Sequence, residues 1–294
     1  MIQMKKNTFK IIYMEKNKME DNQSLKNMGF ELRKHVLTMI YHAKTGHIGG
    51  DFSVMDILTT LYFRIMNISP ENSNDPDRDR FILSKGHAVE AYYAVLAQKG
   101  FFSMNRLMEE YGTFGTPFIG HPNSHINGIE VNSGSLGHGL SVGVGMALAG
   151  KRDKKDYMVY VVMGDGEVEE GSVWEAAMAA AHYNLNNLCA VLDQNYLQIS
   201  GTTREVMSHE NMDERFKSFG WNVLTVDGHD IAALTEVFER AKRIKDRPTL
   251  IIAHTIKGCG VSFMENQLAW HHRIPSSEEY EQAYAELSGR CRKK

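Results

Sequence analysis

The chain has 294 residues, of which 43% are apolar and 23% charged, the ordinary composition of a globular protein. At this length we expect one large domain, because single hydrophobic cores stop growing near this size. The net charge of −3 argues against nucleic acid or an anionic membrane as a partner. The cysteines, Cys189, Cys259 and Cys291, have no pairing or metal-ligand spacing, which favours a reducing cytoplasm.

The first 22 residues differ in composition from the rest of the chain. They are basic and then polar, without a long apolar stretch or a small-residue cleavage site. No apolar run in the sequence reaches the ~18–20 residues of a membrane-spanning helix. We therefore interpret residues 1–22 as a loosely ordered extension rather than a signal peptide, and expect the folded domain to occupy residues 23–294.

Helices and strands alternate along this domain. Apolar residues recur every three or four positions over residues 24–44, which predicts a first helix that ends at the glycines around position 46. Ser53 is the predicted N-cap of the second helix, and Asp230 of the last one. The predicted helices are 24–44, 53–63, 88–99, 140–149, 173–183 and 230–245, and the predicted strands are 81–84, 157–163, 188–193, 221–226 and 249–254.

The predicted strands are short, continuous apolar runs, which are typical of a parallel sheet covered on both faces. The alternation with helices predicts an α/β fold, an open, mostly parallel, doubly wound sheet with helices on both faces. Ligands of such sheets bind in the crevice at the carboxyl ends of the strands. Polar residues that follow a strand are therefore the first candidates for a functional site.

Residues 161–172, VVMGDGEVEEGS, run from a strand into a glycine loop of the phosphate-binding kind, yet the loop carries several acidic groups. Asp165 follows this strand, and Asn195 follows the next one, about one βαβ unit further along the chain. Because neighbouring strands lie only ~4.8 Å apart, the two side chains are expected to meet. Mg²⁺ prefers oxygen ligands and shares its shell with phosphates. The pattern predicts a magnesium–phosphate site in which Asp165 holds the cation and the backbone at Gly166 approaches the phosphate.

Other interpretations of the glycines are weaker. Gly-Asp-Gly is also compatible with a simple tight turn between a strand and a helix. A Walker loop requires Gly-Lys-Ser/Thr, which the loop lacks. Gly143, Gly145 and Gly150 have the wrong spacing for a dinucleotide fingerprint and lie inside a predicted helix, where close packing is the favoured reason for them.

Histidines supply a second signal. A single loop histidine is usually exposed and inert, but several in glycine-flanked loops indicate a pocket for a polyhydroxylated, phosphorylated substrate. We interpret His229 as structural, because it precedes the helix cap at Asp230. A histidine–metal site is also possible in principle. Glycine precedes His47, His87, His121, His138 and His229, and Trp270 precedes the pair His271 and His272.

The segment GDGEVEEGSVWEAAMAAAHYNLNNLCAVLDQNYLQISG resembles the thiamine diphosphate signature, in which Asn follows Gly-Asp-Gly after about thirty residues. The blocks TGHIGGDFS, LSKGHA, GHPN, SGSLGHGLSVGVGMA and HTIKGCGVSFMEN, with WHH after them, resemble transketolases. They occur in the family's order over nearly the whole chain. The resemblance implies a thiamine diphosphate-binding domain of the diphosphate type, and Mg²⁺ as the metal, with Ca²⁺ or Mn²⁺ as substitutes.

The resemblance implies a cofactor-binding role for several residues. The side chains of Asp165 and Asn195 and the backbone carbonyl of Leu197 would hold Mg²⁺, and Gly166 would contact the diphosphate. Three further residues would line the cofactor, with two of them packing on its rings. These three are Gly134, Leu136 and Ile199.

The resemblance also implies catalytic roles. His87 and His271 match histidines near the diphosphate and the reacting centre, where they contact the cofactor. His47 and His121 match histidines that bind and polarise the hydroxyl and carbonyl groups of the sugar. Glu170 matches a glutamate in a charge network that links paired active sites. The electron-sink chemistry belongs to the cofactor.

The chain stops where a full-length transketolase would continue, so it is similar to the N-terminal subunit of a split transketolase. In the family the glutamate that protonates the aminopyrimidine comes from the pyrimidine-binding domain. We therefore expect a C-terminal partner subunit, two copies of each chain in a heterotetramer, and a cofactor at the interface between the subunits. We expect the helix 140–149 to form part of that interface. The implied activity is transfer of a two-carbon ketol unit from a ketose to an aldose, with sugar phosphates as substrates and no nucleic acid or membrane partner.

The sequence departs from the family pattern at two points. Transketolases commonly have Gly-Pro-Leu-Gly-Gln where this chain has GSLGH at residues 134–138, and glycine where this chain has His272. Three alternatives remain. A deoxyxylulose-phosphate-synthase-like enzyme fits less well, because His121 suits a hydroxymethyl ketone rather than pyruvate. A 2-oxoacid dehydrogenase subunit would have no use for the histidine-rich loops, and a catalytically silent binding or regulatory subunit is the third alternative.

Overall fold

The computed structural model describes residues 2–208 and 210–291. A helical pair opens the domain, and strands then alternate with helices up to the last helix. The helices are α1 (Ile2–Ala43), α2 (Ile48–Thr60), α3 (Val89–Lys99), α4 (Met104–Glu110), α5 (His138–Arg152), α6 (Gly171–His182), α7 (Thr203–Met207), α8 (Met212–Ser218), α9 (Ile231–Arg243) and α10 (Ser277–Cys291). The strands are β1 (Arg80–Leu83), β2 (Val159–Gly164), β3 (Leu188–Gln194), β4 (Asn222–Asp227) and β5 (Thr249–His254).

The strands form one parallel sheet in the order β1-β2-β3-β5-β4, which confirms the predicted doubly wound α/β fold. Gly164 at the end of β2 pairs with Asp193 on β3, and Gln194 pairs with His254 on β5. The carboxyl ends of the central strands therefore lie side by side. The segments that follow them, including Asp165 and Asn195, leave the sheet at the same edge.

Each face of the sheet is covered by its own apolar core. Alternate residues of a strand point to opposite faces, so Cys189 and Val191 of β3 pack against α1, α2, α3 and α9, whereas Ala190 and Leu192 pack against α5, α6 and α8. This double covering explains why the strands are continuous apolar runs rather than alternating ones.

All predicted strands are present, with ends within two residues of the predicted positions. Helices α4, α7, α8 and α10 were not predicted, because they are short or strongly polar. The predicted cap at Ser53 is wrong: α2 already begins at Ile48, and Ser53 lies buried inside it, with its hydroxyl directed at Asp193 (2.7 Å). The cap at Asp230 is confirmed, since its carboxylate accepts the backbone N–H groups of Ala232 and Ala233.

The N-terminal segment continues the first helix, since α1 runs from Ile2 to Ala43. Met1, the first residue of the predicted extension, lies outside the described residues. The loose order of residues 1–22 and the boundary at residue 23 stay predictions. Over the part of the chain that the structure covers, no helix combines the length and the hydropathy needed to cross a membrane.

The glycines of α5 bring that helix close to the sheet at one point. A Cβ on Gly143 would lie 2.5 Å from Val161 Cγ2, and one on Gly150 would lie 2.6 Å from the ring of Tyr157. Close packing is therefore the reason for these two glycines. Gly145 faces open space, so packing within this chain does not explain it.

Candidate active site

A cavity of about 350 Å³ opens at the carboxyl ends of β1, β2, β3 and β5, the position expected for the ligand of a parallel α/β sheet. Its volume lies within the range of small-molecule sites. Every residue predicted for the site lines this cavity except Glu170. The lining residues that were predicted are His47, His87, His121, Gly134, Leu136, Asp165, Gly166, Asn195, Leu197, Ile199 and His271.

Glu170 lies apart from the cavity. Its side chain is exposed, and its Cβ packs against Gly137, where an added Cβ would come within 2.5 Å of it. Gly137 has φ of +85°, in the left-handed region that favours glycine. Glu170 is thus placed on the surface beside the pocket, and its proposed role in linking two active sites stays a prediction.

Three residues that line the cavity can supply oxygen donors to a cation. They are Asp165 with its carboxylate, Asn195 with its side-chain amide and Leu197 with its backbone carbonyl. The Asp165 carboxylate accepts backbone N–H groups from Gly166 (3.0 Å) and Tyr196, so β2 and β3 are tied together at this point. Carboxylate, amide and carbonyl oxygens form the donor set that a hard cation such as Mg²⁺ prefers.

The electrostatics around Asp165 also fit a cation. The residue is only 2% exposed. Burial and the charge of the neighbouring Asp193 carboxylate raise the pKa of Asp165 to about 6. A divalent cation would stabilise the ionised form of this carboxylate, and this agreement between donor set and charge supports a metal at this position.

The histidines form a cluster that lines the same cavity. The ring centroid of His47 lies 5.3 Å from that of His87, 5.7 Å from His271 and 6.4 Å from His121. His272 lies on the outer side of His47, with their centroids 4.5 Å apart. The structure therefore brings together four histidines from four different loops. Three of them follow a glycine in the sequence, and His271 follows Trp270.

The cluster is held in the neutral state. Burial, followed by the charge of His272, lowers the pKa of His47 to about 4, and burial and the charge of Lys257 lower the pKa of His271 to about 3. Burial likewise lowers the pKa of His87 and of His121. Neutral imidazoles both donate and accept hydrogen bonds, which suits hydroxyl and carbonyl groups of a sugar.

Two Gly-His histidines lie elsewhere. His138 is exposed at the start of α5, and its Nδ1 lies 3.3 Å from Ser135 Oγ. The structure places His229 in a structural position: its Nδ1 bonds to the Asp56 carboxylate (2.7 Å), and its Nε2 accepts the backbone N–H of Ile256 (2.9 Å). The same carboxylate pairs with the fully buried Arg33.

Two buried lysines, which the sequence analysis did not predict as site residues, also line the cavity. Lys85 Nζ donates to the carboxylate of Asp193 (2.6 Å) and to the Gly50 carbonyl (3.1 Å). Lys257 Nζ lies 2.9 Å from His271 Nδ1 and 3.3 Å from the Leu197 carbonyl. An ammonium can only donate, so neutral His271 keeps its proton on Nε2. Lys85 lies in the block LSKGHA and Lys257 in the block HTIKGCG. A lysine close to a histidine within these blocks was the sequence signal that could have identified them.

The acidic loop after β2 has a structural explanation. Glu167 is buried, and its carboxylate accepts the hydroxyl of Ser84 and the backbone N–H groups of Gly137 (2.8 Å) and Gly164 (3.1 Å). Glu167 therefore ties together three segments that form the cavity wall. The remaining glutamates of the loop, including Glu170, lie nearer the surface.

Residues 26–288 match the family model "Transketolase, thiamine diphosphate binding domain". The chain belongs to the transketolase family. It is a transketolase-type transferase subunit, and it contains a thiamine diphosphate-binding domain. This finding confirms the resemblance found in the sequence.

Several transketolase subunits are similar to this chain over almost their whole length. One of them, an apulose-4-phosphate transketolase subunit from Phocaeicola vulgatus, is 51% identical over 261 residues, covering 89% of this chain and 92% of that protein. Another, the "6-deoxy-6-sulfo-D-fructose transketolase subunit SqwG" of a Clostridium species, is 40% identical, covering 91% and 98%. Both names describe subunits rather than complete enzymes.

Solved transketolases share the fold. The transketolase of Campylobacter jejuni superposes with a TM-score of 0.85 at 29% identity, covering 90% of this chain and 42% of that one. The transketolase of Leishmania mexicana gives a TM-score of 0.83 at 27% identity and similar coverage. This chain therefore spans less than half the length of the solved transketolases that it matches.

Proposed function

We propose that this chain is the cofactor-binding subunit of a two-component transketolase, which moves a two-carbon ketol unit from a ketose to an aldose. The observation that carries the proposal is a single cavity lined both by three residues with oxygen donors for a cation and by four clustered histidines. Membership of the transketolase family and the subunit names of its relatives support it. Neither the pyruvate-condensing alternative nor the dehydrogenase alternative is favoured by these relatives.

Thiamine diphosphate and Mg²⁺ are the proposed cofactors. Asp165, Asn195 and the Leu197 carbonyl would hold the metal, with the backbone at Gly166 facing the diphosphate. Ca²⁺ or Mn²⁺ would substitute, because both also take oxygen ligands. When bound, the thiazolium supplies a carbanion and an electron sink, which no side chain of this domain offers.

The cofactor's position follows from the cavity wall. Leu136 and Ile199 are the apolar residues predicted to pack on the cofactor rings, and Ile199 is 70% exposed in the described chain. Gly134 leaves room beside His121, since a Cβ there would lie 2.5 Å from the imidazole. Covering Ile199 with a flat ring would remove apolar surface from water and favour binding.

Four histidines are proposed to act on the substrate and the reacting centre. His47 and His121 would bind and polarise hydroxyl and carbonyl groups of the sugar, and His87 and His271 would contact the cofactor. The Tyr93 hydroxyl, which lies 3.0 Å from the His121 carbonyl, fixes the backbone of that loop. Lys257 fixes the tautomer of His271, so that Nε2–H is free to donate into the cavity.

The substrates are proposed to be ketoses that carry an anionic group, together with an aldose acceptor. One relative is named for apulose-4-phosphate and another for 6-deoxy-6-sulfo-D-fructose, and a phosphate or a sulfonate distinguishes both sugars. Sugar phosphates are therefore the first substrates to test. His272, which is exposed beside His47, is placed to influence which sugar is accepted.

A pyrimidine-binding partner subunit completes the proposal, with two copies of each chain. Support comes from the relatives named as subunits and from the exposed side of α5, where Val142 is 38% exposed and Gly145 faces open space. Glu170 would link the two active sites of such a heterotetramer. We propose a cytoplasmic location, because Cys189, Cys259 and Cys291 are all free thiols.

Reconstitution tests the proposed function. The chain is purified alone and mixed with the product of a gene that resembles the C-terminal half of a transketolase. Ketol transfer from a ketose phosphate to an aldose phosphate is followed in the presence of thiamine diphosphate and Mg²⁺. We expect turnover near zero for each chain alone and robust turnover for the mixture, whereas Asp165→Ala should abolish it. Robust turnover by this chain without a partner, or none by a stable mixture that binds the cofactor, would overturn the proposal, and the second result would favour a silent binding subunit.

A further inference from the structure

Two carboxyl groups are buried next to the histidine cluster without lining the cavity. Asp51 lies in the first turn of α2, four residues after His47, and Glu90 lies in the first turn of α3, three residues after His87. Neither has any exposed surface. Carboxylates are rarely buried unless they are paired, so both groups require an explanation.

Each carboxyl group binds the segment that carries the other. Asp51 Oδ1 accepts the backbone N–H of Ala91 at the start of α3 (2.9 Å). Glu90 accepts the hydroxyl of Tyr111, and its Oε1 lies against Gly46, the residue before His47. The two groups therefore join the loop of His47 to the helix that follows His87.

The two carboxyl groups interact with each other in the protein interior. One oxygen of each, Asp51 Oδ2 and Glu90 Oε2, is buried without a hydrogen-bond partner among the described residues. Two ionised carboxylates cannot satisfy each other's oxygens, because neither has a hydrogen to donate. A single proton held between them supplies the donor and removes one of two like charges from the protein interior.

The surroundings favour this arrangement. Burial and the Glu90 carboxyl group raise the pKa of Asp51, and burial raises the pKa of Glu90. Lys85 is the cation that faces the pair, and it is already bonded to Asp193. The hydroxyls of Tyr93 and Tyr111 also face the pair.

The pair supports the backbone at His47 directly. Gly46 has φ of +143°, and a Cβ at this position would lie 2.9 Å from Glu90 Oε1. The chain before His47 thus lies against the carboxyl group. His47 Nδ1 is buried without a hydrogen-bond partner in the described structure, so its backbone contacts, rather than a bond to the ring, set its position.

We propose that Asp51 and Glu90 are positioning residues that share one proton, and that this proton keeps His47 in place to bind the sugar. Loss of the proton at high pH leaves two adjacent buried charges that repel, and His47 shifts. The activity part of this inference rests on the proposed ketol transfer. The shared proton itself is a property of the folded chain and is measurable without turnover.

Asp51→Asn is the decisive variant, because its amide donates to Glu90 and accepts from Ala91 without needing a proton. In the infrared difference spectrum of the full chain, wild type minus variant at pH ~8, we expect the carbonyl stretch of a protonated carboxyl, since ordinary carboxyls are ionised there. The alkaline loss of kcat/KM for the sugar, seen in the wild-type complex, should disappear in Asp51→Asn. Asp51→Ala should lower kcat/KM about 10- to 100-fold, the scale of a small misplacement of a reacting group.

Asp79→Asn is the matched control. Asp79 is buried at the start of β1, accepts two backbone N–H groups and has no contact with the cluster, so its variant reports destabilisation alone. We expect an unchanged pH profile. A missing carboxyl band, or an Asp51→Asn profile that matches the wild type, would overturn the shared proton even if Asp51→Ala fails to fold. If the wild-type complex shows no ketol transfer, the proposed function fails, while the infrared band still decides the shared proton.

Discussion

Removing the charge of Asp165 should make the metal-free chain more stable relative to the wild type, and this difference should grow as the pH rises. The pKa of this buried carboxyl is about 6 in the folded chain, against an ordinary value of 3.8. The folded state therefore binds the proton more tightly than the unfolded state does. The stability that this proton contributes is fully present below pH ~4 and is lost as the pH rises to ~6. Asp165→Asn carries no such charge, so its stability does not change with pH in this way.

The size of the effect follows from the pKa difference. A difference of about two pKa units, at ~1.4 kcal/mol each, corresponds to about 3 kcal/mol. The free energy of unfolding of Asp165→Asn, minus that of the wild type, should therefore increase by up to about 3 kcal/mol between pH ~4 and ~7. The asparagine amide also lies opposite the N–H groups of Gly166 and Tyr196, which has a cost that does not depend on pH. This cost cancels when the difference between variant and wild type at one pH is compared with the difference at the other.

Urea denaturation of the metal-free chain over this pH range measures the difference. Asp77→Asn, which changes an exposed aspartate, is the control and should follow the wild type. Addition of thiamine diphosphate with Mg²⁺ should raise the thermal midpoint of the wild type but not of Asp165→Asn, because the variant loses a charged metal ligand. Parallel stability curves for wild type and variant, or an equal cofactor-induced shift, would refute the reasoning.

Three further predictions concern the same elements. Asn195→Ala should weaken cofactor binding in the presence of Mg²⁺ by at least 10- to 100-fold, measured by calorimetric titration of the assembled complex, because even outer-shell changes cost that much. His47→Ala and His121→Ala should lower sugar turnover about 10²- to 10⁴-fold in steady-state kinetics and leave cofactor affinity nearly intact, whereas His229→Ala should affect stability rather than turnover. Arg33→Met should lower the free energy of unfolding in urea by about 3–5 kcal/mol, because it removes the buried guanidinium that pairs with the Asp56 carboxylate.

Each of these predictions has a clear contrary result. Cofactor affinity unchanged by Asn195→Ala would remove this residue from the metal site. A loss of turnover in His229→Ala as large as that in His121→Ala would show that the division into substrate and structural histidines is wrong. If Arg33→Met lowered the free energy of unfolding by less than about 1 kcal/mol, the buried Arg33–Asp56 ion pair would contribute no more to stability than a surface ion pair does.

The sequence by itself determined the sheet and the order of the site motifs. The strands are apolar runs whose burial on both faces is required by any parallel sheet, so their positions were predicted within two residues. Asp165 and Asn195 each follow a strand, and the rule that parallel strands end at one edge brings them together. Helices α7 and α8, by contrast, are short, and their polar sequences carry no clear period.

Only the tertiary structure decided which side chains meet. His121 and His229 have the same local sequence signal, yet one lines the cavity and the other binds Asp56. The reason is their place in the fold, because His121 lies in the loop between α4 and α5 whereas His229 follows the edge strand β4. Lys85 bonds to a carboxylate 108 residues away, and Asp51 to an amide 40 residues away. Such contacts arise from the packing of whole helices on the sheet, and no local pattern of residues records them.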